Sequence, residues 1–555
     1  MNGFLTSIGY QHWILPALLG IPVLGALVIW VQSALGGRSG GSPVAAPEES
    51  AAARAGADPR TAIDEIATGA AGPARTIAFA TFFIEFIVSL GLWWAFDPAD
   101  GRWQFAFDRA WIPSWGVRFI IGIDGMAMMM ILLTTFIMLL ASLGSWTYIR
   151  TRTHSFYALM LILTTGMLGV FMSLDLFLFY VMWEVMLVPM YFIIGIWGGE
   201  RRLYASLKFF IYTMVGSMLM LAAVVYIGLA ARNPATGIPT FSYDYILQNA
   251  VVSRTAALWL FGAFFMAFAV KVPMFPFHTW LPDAHVEAPT AGSVVLASIM
   301  LKLGTFGFLR LAVPLFPSAA MNDTVRSIIL GLAVIGVVYG ALVSMVQPDF
   351  KKLVAYSSVS HLGFVMLGIF ALTVQSVQGA LMVMINHGIS TGALFLLIGM
   401  IYERRHSRLI EAYGGIARVV PMFAALLTLV SLSSIGLPGT NGFIGEFLVL
   451  IGSFRTVPIF TLIATTAVIF SAAYLLWAIQ RILFNALDKP ENEHIADLNS
   501  RELLIMAPLV AAIIWLGVYP APVLRRMQGS AERFVSIVQG RAASNSRLTM
   551  REGGR

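Results

Sequence analysis

The chain is 555 residues long, 58% of them hydrophobic and 11% charged, with a formal net charge of +7. This composition is typical of a protein that crosses a membrane many times, and it excludes a water-soluble globule with one large core. The scattered basic residues exclude a nucleic-acid-binding patch, and the lack of cysteine excludes disulfides, thiolate-held iron–sulfur clusters and c-type haem on this chain.

Apolar runs of spanning length follow one another along nearly the whole chain. Because ~20 apolar residues cross a bilayer as a helix, the sequence predicts an all-α polytopic membrane protein with about fourteen transmembrane helices. The predicted spans are residues 13–32, 76–95, 119–141, 156–173, 174–197, 204–230, 254–277, 291–313, 325–346, 353–373, 378–402, 419–454, 458–484 and 503–521.

Two segments outside the spans have a different composition. Residues 33–75 are rich in Gly, Ala, Pro and acidic residues (GGRSGGSPVAAPEES) and cannot bury enough apolar surface to fold alone, which predicts a flexible linker after the first transmembrane helix in 1–32. That first helix lacks a basic n-region, so we expect it to be retained and not cleaved. A basic tail over 522–555 follows the last helix at 503–521.

Basic residues in the short loops predict the orientation. The loops after the third, fifth, ninth and eleventh spans read YIRTRTH, GGERR, QPDFKK and YERRHSR, and alternation of the spans puts all four on one side. Short cytoplasmic loops carry an excess of Lys and Arg. We therefore expect these loops in the cytoplasm and both termini outside.

A carboxylate lies near the middle of the fifth predicted span. Glu184, in FYVMWEVMLVPMYF, is costly at membrane depth, so it indicates ion or proton handling; the alternative is a carboxyl kept neutral by burial and one hydrogen bond. Lys208, near the start of its span, either reaches the headgroups or pairs with Glu184. Lys271 precedes Pro273 by two residues and either exchanges protons or caps freed carbonyls.

Later spans carry four more titratable residues. Lys302 lies some eleven residues from either end of its run, too deep to reach the headgroups easily, which favours a functional role. His361 and His387 have the residue type that titrates near neutral pH and predict a relay; alternatively, each is a buried histidine satisfied by a neighbour. Glu446 follows a helix break in the twelfth span.

Two spans contain helix-breaking residues next to these charges. Pro273, Pro276 and Pro282 follow Lys271, and the string GLPGTNG precedes Glu446. Irregular backbone at membrane depth is tolerated where protein or water meets it, as in a transport site. Glu184 and Lys271 are 87 positions apart, and His361 and Glu446 are 85 apart. This spacing predicts two inverted five-helix repeats with broken helices seven and twelve.

The repeats divide the chain into predicted units. Helices two and three occupy 76–155, the first repeat (helices four to eight) 156–313, and the second, inverted repeat (helices nine to thirteen) 325–484. Within the first repeat, the loop around the prolines also contains a cluster of acids and histidines. Its spacing matches no helical zinc motif and favours a rigid cap over a metal site. These four residues are His278, Asp283, His285 and Glu287.

Several long strings carry a family resemblance over about residues 119 to 485. FYVMWEVMLVPMYF, VPMFPFHTWLPDAHVEAPTAGSVVLASIMLKLGTFGFLR, QPDFKKLVAYSSVSHLGFV, INHGISTGALFLLIGMIYER and GLPGTNGFIGEF resemble subunit M of NADH–quinone oxidoreductase (respiratory complex I), the counterpart of mitochondrial NADH dehydrogenase subunit four. The resemblance implies an antiporter-like, proton-translocating subunit of the membrane arm. The family's proton-carrying positions correspond to Glu184, Lys271, Lys302, His361, His387 and Glu446; Lys208 joins them as a proton-pathway candidate from its position in the span.

The resemblance also sets expectations about partners and location. It implies a multi-pass protein of the bacterial cytoplasmic membrane that contacts the other membrane-arm subunits, with no cofactor or catalytic redox residue of its own. NADH, FMN, iron–sulfur clusters and quinone are expected on partner subunits. The alternatives are a subunit of a multi-chain cation/proton antiporter or of a membrane-bound hydrogenase, or a structural spacer whose buried charges only fix the packing of its helices.

Overall fold

The computed structural model of the chain describes residues 1–36, 59–100, 102–232 and 237–552. Helices dominate these ranges, with one pair of strands, β1 (Gln104–Ile112) and β2 (Val117–Ile123), near the start. The helices in chain order are α1 (Asn2–Ser7), α2 (Tyr10–Gly36), α3 (Pro59–Ala95), α4 (Gly125–Gly144), α5 (Thr153–Met172), α6 (Leu176–Trp197), α7 (Arg202–Ala230), α8 (Tyr243–Asn249), α9 (Arg254–Lys271), α10 (Trp280–Glu287), α11 (Thr290–Leu315), α12 (Pro317–Ala320), α13 (Asp323–Met345), α14 (Phe350–Ala371), α15 (Val374–Arg405), α16 (Pro421–Ser434), α17 (Asn441–Phe454), α18 (Pro458–Phe484), α19 (Ser500–Val518) and α20 (Ala521–Glu552).

Within the described ranges, thirteen helices are long and apolar enough to cross a membrane. They are α2 to α7, α9, α11, α13, α14, α15, α18 and α19. The shorter apolar helices α16 and α17 follow each other across a Gly- and Pro-containing break and together occupy the predicted twelfth span. The prediction of a polytopic helical membrane protein with about fourteen spans is confirmed.

The β-hairpin is the main departure from the all-α prediction. Strands β1 and β2 pair antiparallel around a turn at Gly116, whose φ of 69° suits glycine. The third predicted span, 119–141, was wrong at its start, since Val117–Ile123 forms β2 and the helix begins at Gly125. β-Branched residues favour the strand, and the Asp124 side chain accepts a hydrogen bond from the Ala127 N–H and so caps α4.

The predicted linker is shorter in the structure. Residues 37–58 of the 33–75 segment lie outside the described residues, but α2 extends to Gly36 and α3 already begins at Pro59. The alanine-rich sequence before Pro73 favours a helix there. The basic tail also forms a helix, α20, which packs against α4, α12 and α15. Its buried face has helical spacing and consists of Val523, Met527, Ala531, Phe534, Val535 and Val538.

The helix breaks lie where the prolines and glycines predict them. Helix α9 ends at Lys271, and α10 restarts at Trp280, whose indole N–H donates to the Val270 carbonyl at 2.8 Å. Two further irregularities were not expected. Helix α6 is interrupted at Met186, because Pro189 lacks the N–H that would bond the carbonyl four residues earlier. Helix α11 contains π-helical turns at Leu296–Met300 and Phe308–Ala312, on both sides of Lys302.

The loops gather at two opposite ends of the helices. At the hairpin end, backbone bridges join Ile121 to Ser173 and Asp175 to Ser242. At the other end, called the basic-loop end, a bridge joins Asp349 to Leu409, and the Gly199 N–H donates to the Glu287 carbonyl at 2.9 Å. The four basic loops connect helix ends on this second side. Its assignment to the cytoplasm stays a prediction.

Candidate functional site

Four titratable side chains from different helices form one continuous line, called here the central chain. Lys302 comes from α11, His387 from α15, His361 from α14 and Glu446 from α17. None of the four residues is more than 9% exposed, although each belongs to a residue type that is seldom fully buried in a protein. The helix α11, the consecutive helices α14 and α15, and the helix α17 are three segments far apart in sequence. They bring their polar groups to one place.

Lys302 begins the central chain at a locally irregular helix. Its ammonium donates to the carbonyl of Ala297, which lies in the first π-helical turn, and contacts Nδ1 of His387 at 2.7 Å. π-Helical turns leave carbonyls free for such contacts and are frequent at functional sites. None of the ion pairs within the described residues gives Lys302 a carboxylate partner. Its amino group therefore meets a carbonyl and an imidazole nitrogen and no carboxylate.

The two histidines continue the line to Glu446. Their rings pack edge to face with centroids 5.6 Å apart, and Nδ1 of His361 lies 2.7 Å from Oε1 of Glu446. An ionised carboxylate only accepts hydrogen bonds, so with Glu446 in that form the hydrogen of this contact lies on Nδ1 of His361. Nε2 of His387 is buried without a hydrogen-bond partner in the structure. Every donor along the line can thus point from Lys302 towards Glu446.

A small cavity lies between the histidines and the helix break. Its volume is about 20 Å³, and His361, His387 and Glu446 line it together with Asn386, Ser390 and Ser433. That volume is enough for one water molecule.

Two asparagines fix the wall of this cavity. The Asn386 amide donates to the Asn441 carbonyl at 2.5 Å, and the Asn441 amide donates back to the Asn386 carbonyl at 3.3 Å. Ser390 and Ser433 both donate to the Asn441 side-chain oxygen. These contacts hold α15 against the start of α17 and so fix the position of Glu446 relative to the histidines.

Glu184 and Lys271 are neighbours without direct contact, and are called here the isolated charges. Oε1 of Glu184 and Nζ of Lys271 each lack a hydrogen-bond partner. The Lys271 ammonium instead lies over the rings of Trp183 and Phe209, at 5.6 and 5.2 Å from their centroids. Such cation–π contacts stabilise a desolvated ammonium. The structure places the two charges within electrostatic range of each other but not in a salt bridge.

Lys208 does not pair with Glu184. Its ammonium contacts Oδ2 of Asp283 at 2.7 Å, on the short helix after the proline break. The alternative pairing with Glu184 was therefore wrong, because the broken helix brings a different carboxylate to Lys208. This contact ties α7 to α10.

The predicted acid and histidine cap separates into four different environments. His278 stacks on Phe275 and meets Tyr339 edge to face, and both of its ring nitrogens lack a partner. Asp283 holds Lys208, while Glu287 accepts the Arg201 N–H at 2.9 Å. Among the described residues, no group of three or more His, Asp or Glu side chains is arranged to hold a metal ion.

His285, the fourth member of that cluster, lies deep in the protein. It is fully buried, stacks on Phe395 with ring centroids 4.7 Å apart, and has no partner for either ring nitrogen. Lys302, His387 and Lys351 are its charged or titratable neighbours. His285 therefore lies beside the start of the central chain. Its place in the proline-rich loop gave no sign of this position.

Lys351 was counted as a basic loop residue, but it lies inside the protein. Asp349 caps α14 by accepting the Lys352 N–H, which places Lys351 in the first helical turn with only 7% of its surface exposed. Its ammonium donates to the Ala288 carbonyl at 2.6 Å. It also lines a cavity of about 40 Å³ at the basic-loop end, with Glu287 and Tyr402. The capping Asp349 was the available sequence signal.

Comparisons with known proteins place this arrangement among antiporter-like membrane proteins. The family described as NADH:quinone oxidoreductase/Mrp antiporter matches residues 173–471. NADH-quinone oxidoreductase subunit M of Rhodobacter capsulatus is 46% identical over 81% of this chain and 88% of its own. NADH-ubiquinone oxidoreductase chain 4 of Chondrus crispus is 40% identical over 84% of this chain and 92% of its own. A chain of respiratory complex I from Thermus thermophilus has a TM-score of 0.80 and 31% identity, covering 95% of this chain and 99% of that one.

Proposed function

Because the chain belongs to the NADH:quinone oxidoreductase/Mrp antiporter family, in its subunit M branch, we propose that it moves protons across the membrane arm of respiratory complex I. It is a membrane-arm subunit of a proton-translocating oxidoreductase, and other membrane-arm subunits are its partners. Its location is the bacterial inner membrane, which it crosses many times. Quinone reduction in other subunits supplies the energy, and NADH, FMN, the iron–sulfur clusters and quinone belong to those subunits.

The central chain is the observation that carries this proposal. Lys302 contacts His387, the adjacent cavity has room for one water molecule that would bridge His387 to His361, and His361 contacts Glu446. A proton that leaves Lys302 can move along these groups by successive exchange of hydrogen bonds. Each group keeps its place, and only protons and bond orientations change. Glu446, at the helix break, then releases the proton to the outside.

The isolated charges act as the switch. Glu184 and Lys271 interact through the field and not through a hydrogen bond, so a change in charge on one alters the proton affinity of the other. The interaction is strong at short range in a low dielectric. A charge arriving at Glu184 from a neighbouring subunit therefore changes the proton occupancy of Lys271 and then of Lys302. Energy is transmitted without a redox group on this chain.

Protons reach the central chain from the basic-loop end. The cavity beside Lys351, Glu287 and Tyr402 is large enough for water, and His285 is within electrostatic range of both Lys351 and Lys302. A neutral histidine with two free ring nitrogens can accept a proton on one side and give one up on the other. Lys208 has a different role in this scheme, since its contact with Asp283 positions α10 and hence His285.

Two alternatives predict different results. The subunit M relatives support a complex I subunit over a subunit of a cation/proton antiporter or a membrane-bound hydrogenase. A structural spacer would use the same buried charges only to fix helix packing. In that case, neutralising them would lower assembly and leave proton pumping per electron unchanged.

The direct test replaces Glu446. Complex carrying Glu446→Gln, Glu446→Asp or Glu446→Lys is quantified by its assembled amount, reconstituted in vesicles, and assayed for proton uptake and NADH oxidation. We expect normal assembly, pumping lowered about tenfold or more in the Gln variant, and partial activity in the Asp variant. The Lys variant should not restore pumping, because it reverses the local charge. Pumping at the native level in the Gln variant would remove Glu446 from the pathway.

A further inference from the structure

A large apolar cavity lies on the opposite face of the helix that carries His387. It has a volume of about 520 Å³ and is bounded by α3, α4, α15 and α19. Trp93, Phe136, Pro508 and Trp515 are among its walls, and Val523 of α20 closes it at the hairpin end. The wall on α19 runs from Pro508 to Leu516, about 12 Å along the helix axis. An elongated slot of this size suits a hydrocarbon chain.

The faces around the cavity are apolar and exposed. Ile84 and Ile87 of α3 are half exposed, as is Ile514 of α19, and Leu504 and Val518 of α19 are more exposed still. In a membrane protein such faces contact lipid tails. Tryptophans are enriched at the boundary between the hydrocarbon and the headgroups. Trp94 and Trp515, which line the cavity near its hairpin end, indicate that boundary.

A positive charge lies next to the same end of the cavity, in contact with the lining residue Trp93. Arg526 follows Val523 by three residues, and its guanidinium lies 3.6 Å from the ring centroid of Trp93. Three of its N–H groups donate to the carbonyls of Trp93 and Pro522. A guanidinium has five N–H groups, so two remain. Arg526 lines a small separate cavity together with Asp100 and Asp124, but no ion pair within the described residues joins it to either carboxylate.

From this juxtaposition we propose that the cavity binds one acyl chain of an anionic phospholipid, whose phosphate is held by Arg526. The remaining N–H groups of a guanidinium fit a phosphate, and charge-assisted hydrogen bonds are the strong ones. The Trp93 ring packs against the Arg526 guanidinium and fixes it beside the hairpin end of the cavity. The positively charged guanidinium at this end suits the phosphate of the lipid. The elongated apolar cavity next to it suits an acyl chain.

The lipid would also contact the back of the central chain. Ile385 and Ile389 line the cavity from α15, and His387 lies between them on the opposite face. Occupation of the cavity therefore supports the helix that carries His387 against lateral movement. This consequence rests on the proposed function, whereas binding of the lipid does not.

The test uses photo-crosslinking in the intact complex. The complex is reconstituted in phosphatidylcholine vesicles containing a trace of phosphatidylglycerol with a diazirine near the middle of one acyl chain. After illumination, labelled peptides are identified and counted per assembled complex. We expect labelling of residues 508–516 and 129–136 in the wild type, removed by excess unlabelled phosphatidylglycerol and not by phosphatidylcholine.

Matched variants distinguish the contribution of the Arg526 charge to lipid binding from the contribution of the cavity's shape. Arg526→Gln should lower labelling about tenfold, through loss of a charge-assisted contact, and Arg526→Lys should lower it less. Arg525→Gln is the control, because Arg525 is an exposed neighbour on the same helix. Ala512→Phe, which narrows the cavity without touching the arginine, should also lower labelling.

Three results would overturn the proposal. These are equal competition by phosphatidylcholine, equal losses in Arg525→Gln and Arg526→Gln, and absence of label from both peptides in the wild type. The last result would mean that this lipid does not occupy the cavity. The competition between unlabelled lipids is measured in the wild-type complex, so it gives a result even where a variant fails to assemble. Because labelling does not depend on pumping, its failure is distinguishable from failure of the proposed function.

Discussion

The isolated charges and the central chain hold their buried polar groups in two different ways. Glu184 and Lys271 stand near each other without a hydrogen bond, and Lys271 is surrounded by aromatic rings. Lys302, by contrast, begins a line in which hydrogen-bonded contacts of 2.7 Å alternate with one water-sized gap. The isolated charges influence each other through their electrostatic interaction, whereas the central chain transfers the proton itself.

This difference has a physical reason. Two charges in a low-dielectric interior interact strongly over several ångströms, so no bond is needed to couple them. A proton, however, crosses only short gaps and needs a donor or acceptor at each step. The helix irregularities match these needs: π-helical turns free a carbonyl beside Lys302, while the interruption of α6 lies two residues after Glu184. The comparison therefore predicts different responses to substitution in the two regions.

The largest effect is expected at the start of the central chain. Lys302→Met removes the amino group that begins the central chain, and proton pumping per assembled complex should fall about 100-fold. Lys302→Arg keeps the positive charge but cannot release a proton, so it should fail to a similar extent. The measurement is vesicle acidification driven by NADH. If the Arg variant pumped at the native rate, the positive charge of Lys302 alone would explain why pumping requires this residue.

A smaller, shared effect is expected for the isolated charges. Glu184→Gln and Lys271→Gln should each lower coupled NADH oxidation about tenfold, since each leaves the other charge uncompensated. Glu184→Asp should be mild. The double variant should be no worse than the more severe single one, because the two act as one switch. Effects that multiply in the double variant would show that the charges act independently.

A still smaller effect is expected at the proton intake. Lys351→Met should slow pumping about threefold, because Lys351 lies beside a water-sized cavity while His285 remains in place. Lys352→Met is the matched control, one residue further along the same helix. The account expects native pumping from that control. If both substitutions slowed pumping equally, the cause would be the loss of positive charge from the loop and not the loss of a proton-carrying group at Lys351.

The smallest effect is expected at the Lys208 contact. Asp283→Asn removes an ion pair whose side chains are 19% and 30% exposed, so its loss should cost less than about 1 kcal/mol of stability. Pumping should change little, and the thermal dissociation temperature of the complex should fall slightly. Loss of pumping comparable to that of the central-chain variants would place Lys208 in the pathway.

Much of this architecture was predictable because the bilayer imposes simple rules. A spanning helix needs about 20 apolar residues, so the runs of apolar sequence located the helices. Prolines and glycines located the breaks after Lys271 and before Glu446, since they remove helical hydrogen bonds or release the backbone. Titratable residues far from the membrane surface identified the members of the central chain.

The remaining features depend on packing between distant segments. Lys208 and Asp283 are 75 positions apart, and the choice of Asp283 over Glu184 follows from the position of a short helix after the proline break. Lys351 was placed in a loop because helix ends are uncertain by a few residues from sequence. The β-hairpin was missed because only Asp124 separates the apolar strand β2 from the apolar helix α4, so the two read as one apolar run.

The central claim is that the proton passes through His387 and not merely near it. The most direct measurement compares His387→Gln with His278→Gln, since both histidines are buried but His278 stacks on Phe275 outside the central chain. Proton pumping per NADH oxidised is measured in vesicles with equal amounts of assembled complex. The account predicts that pumping falls about tenfold or more in His387→Gln and stays near native in His278→Gln. Native pumping in the assembled His387→Gln complex would contradict it.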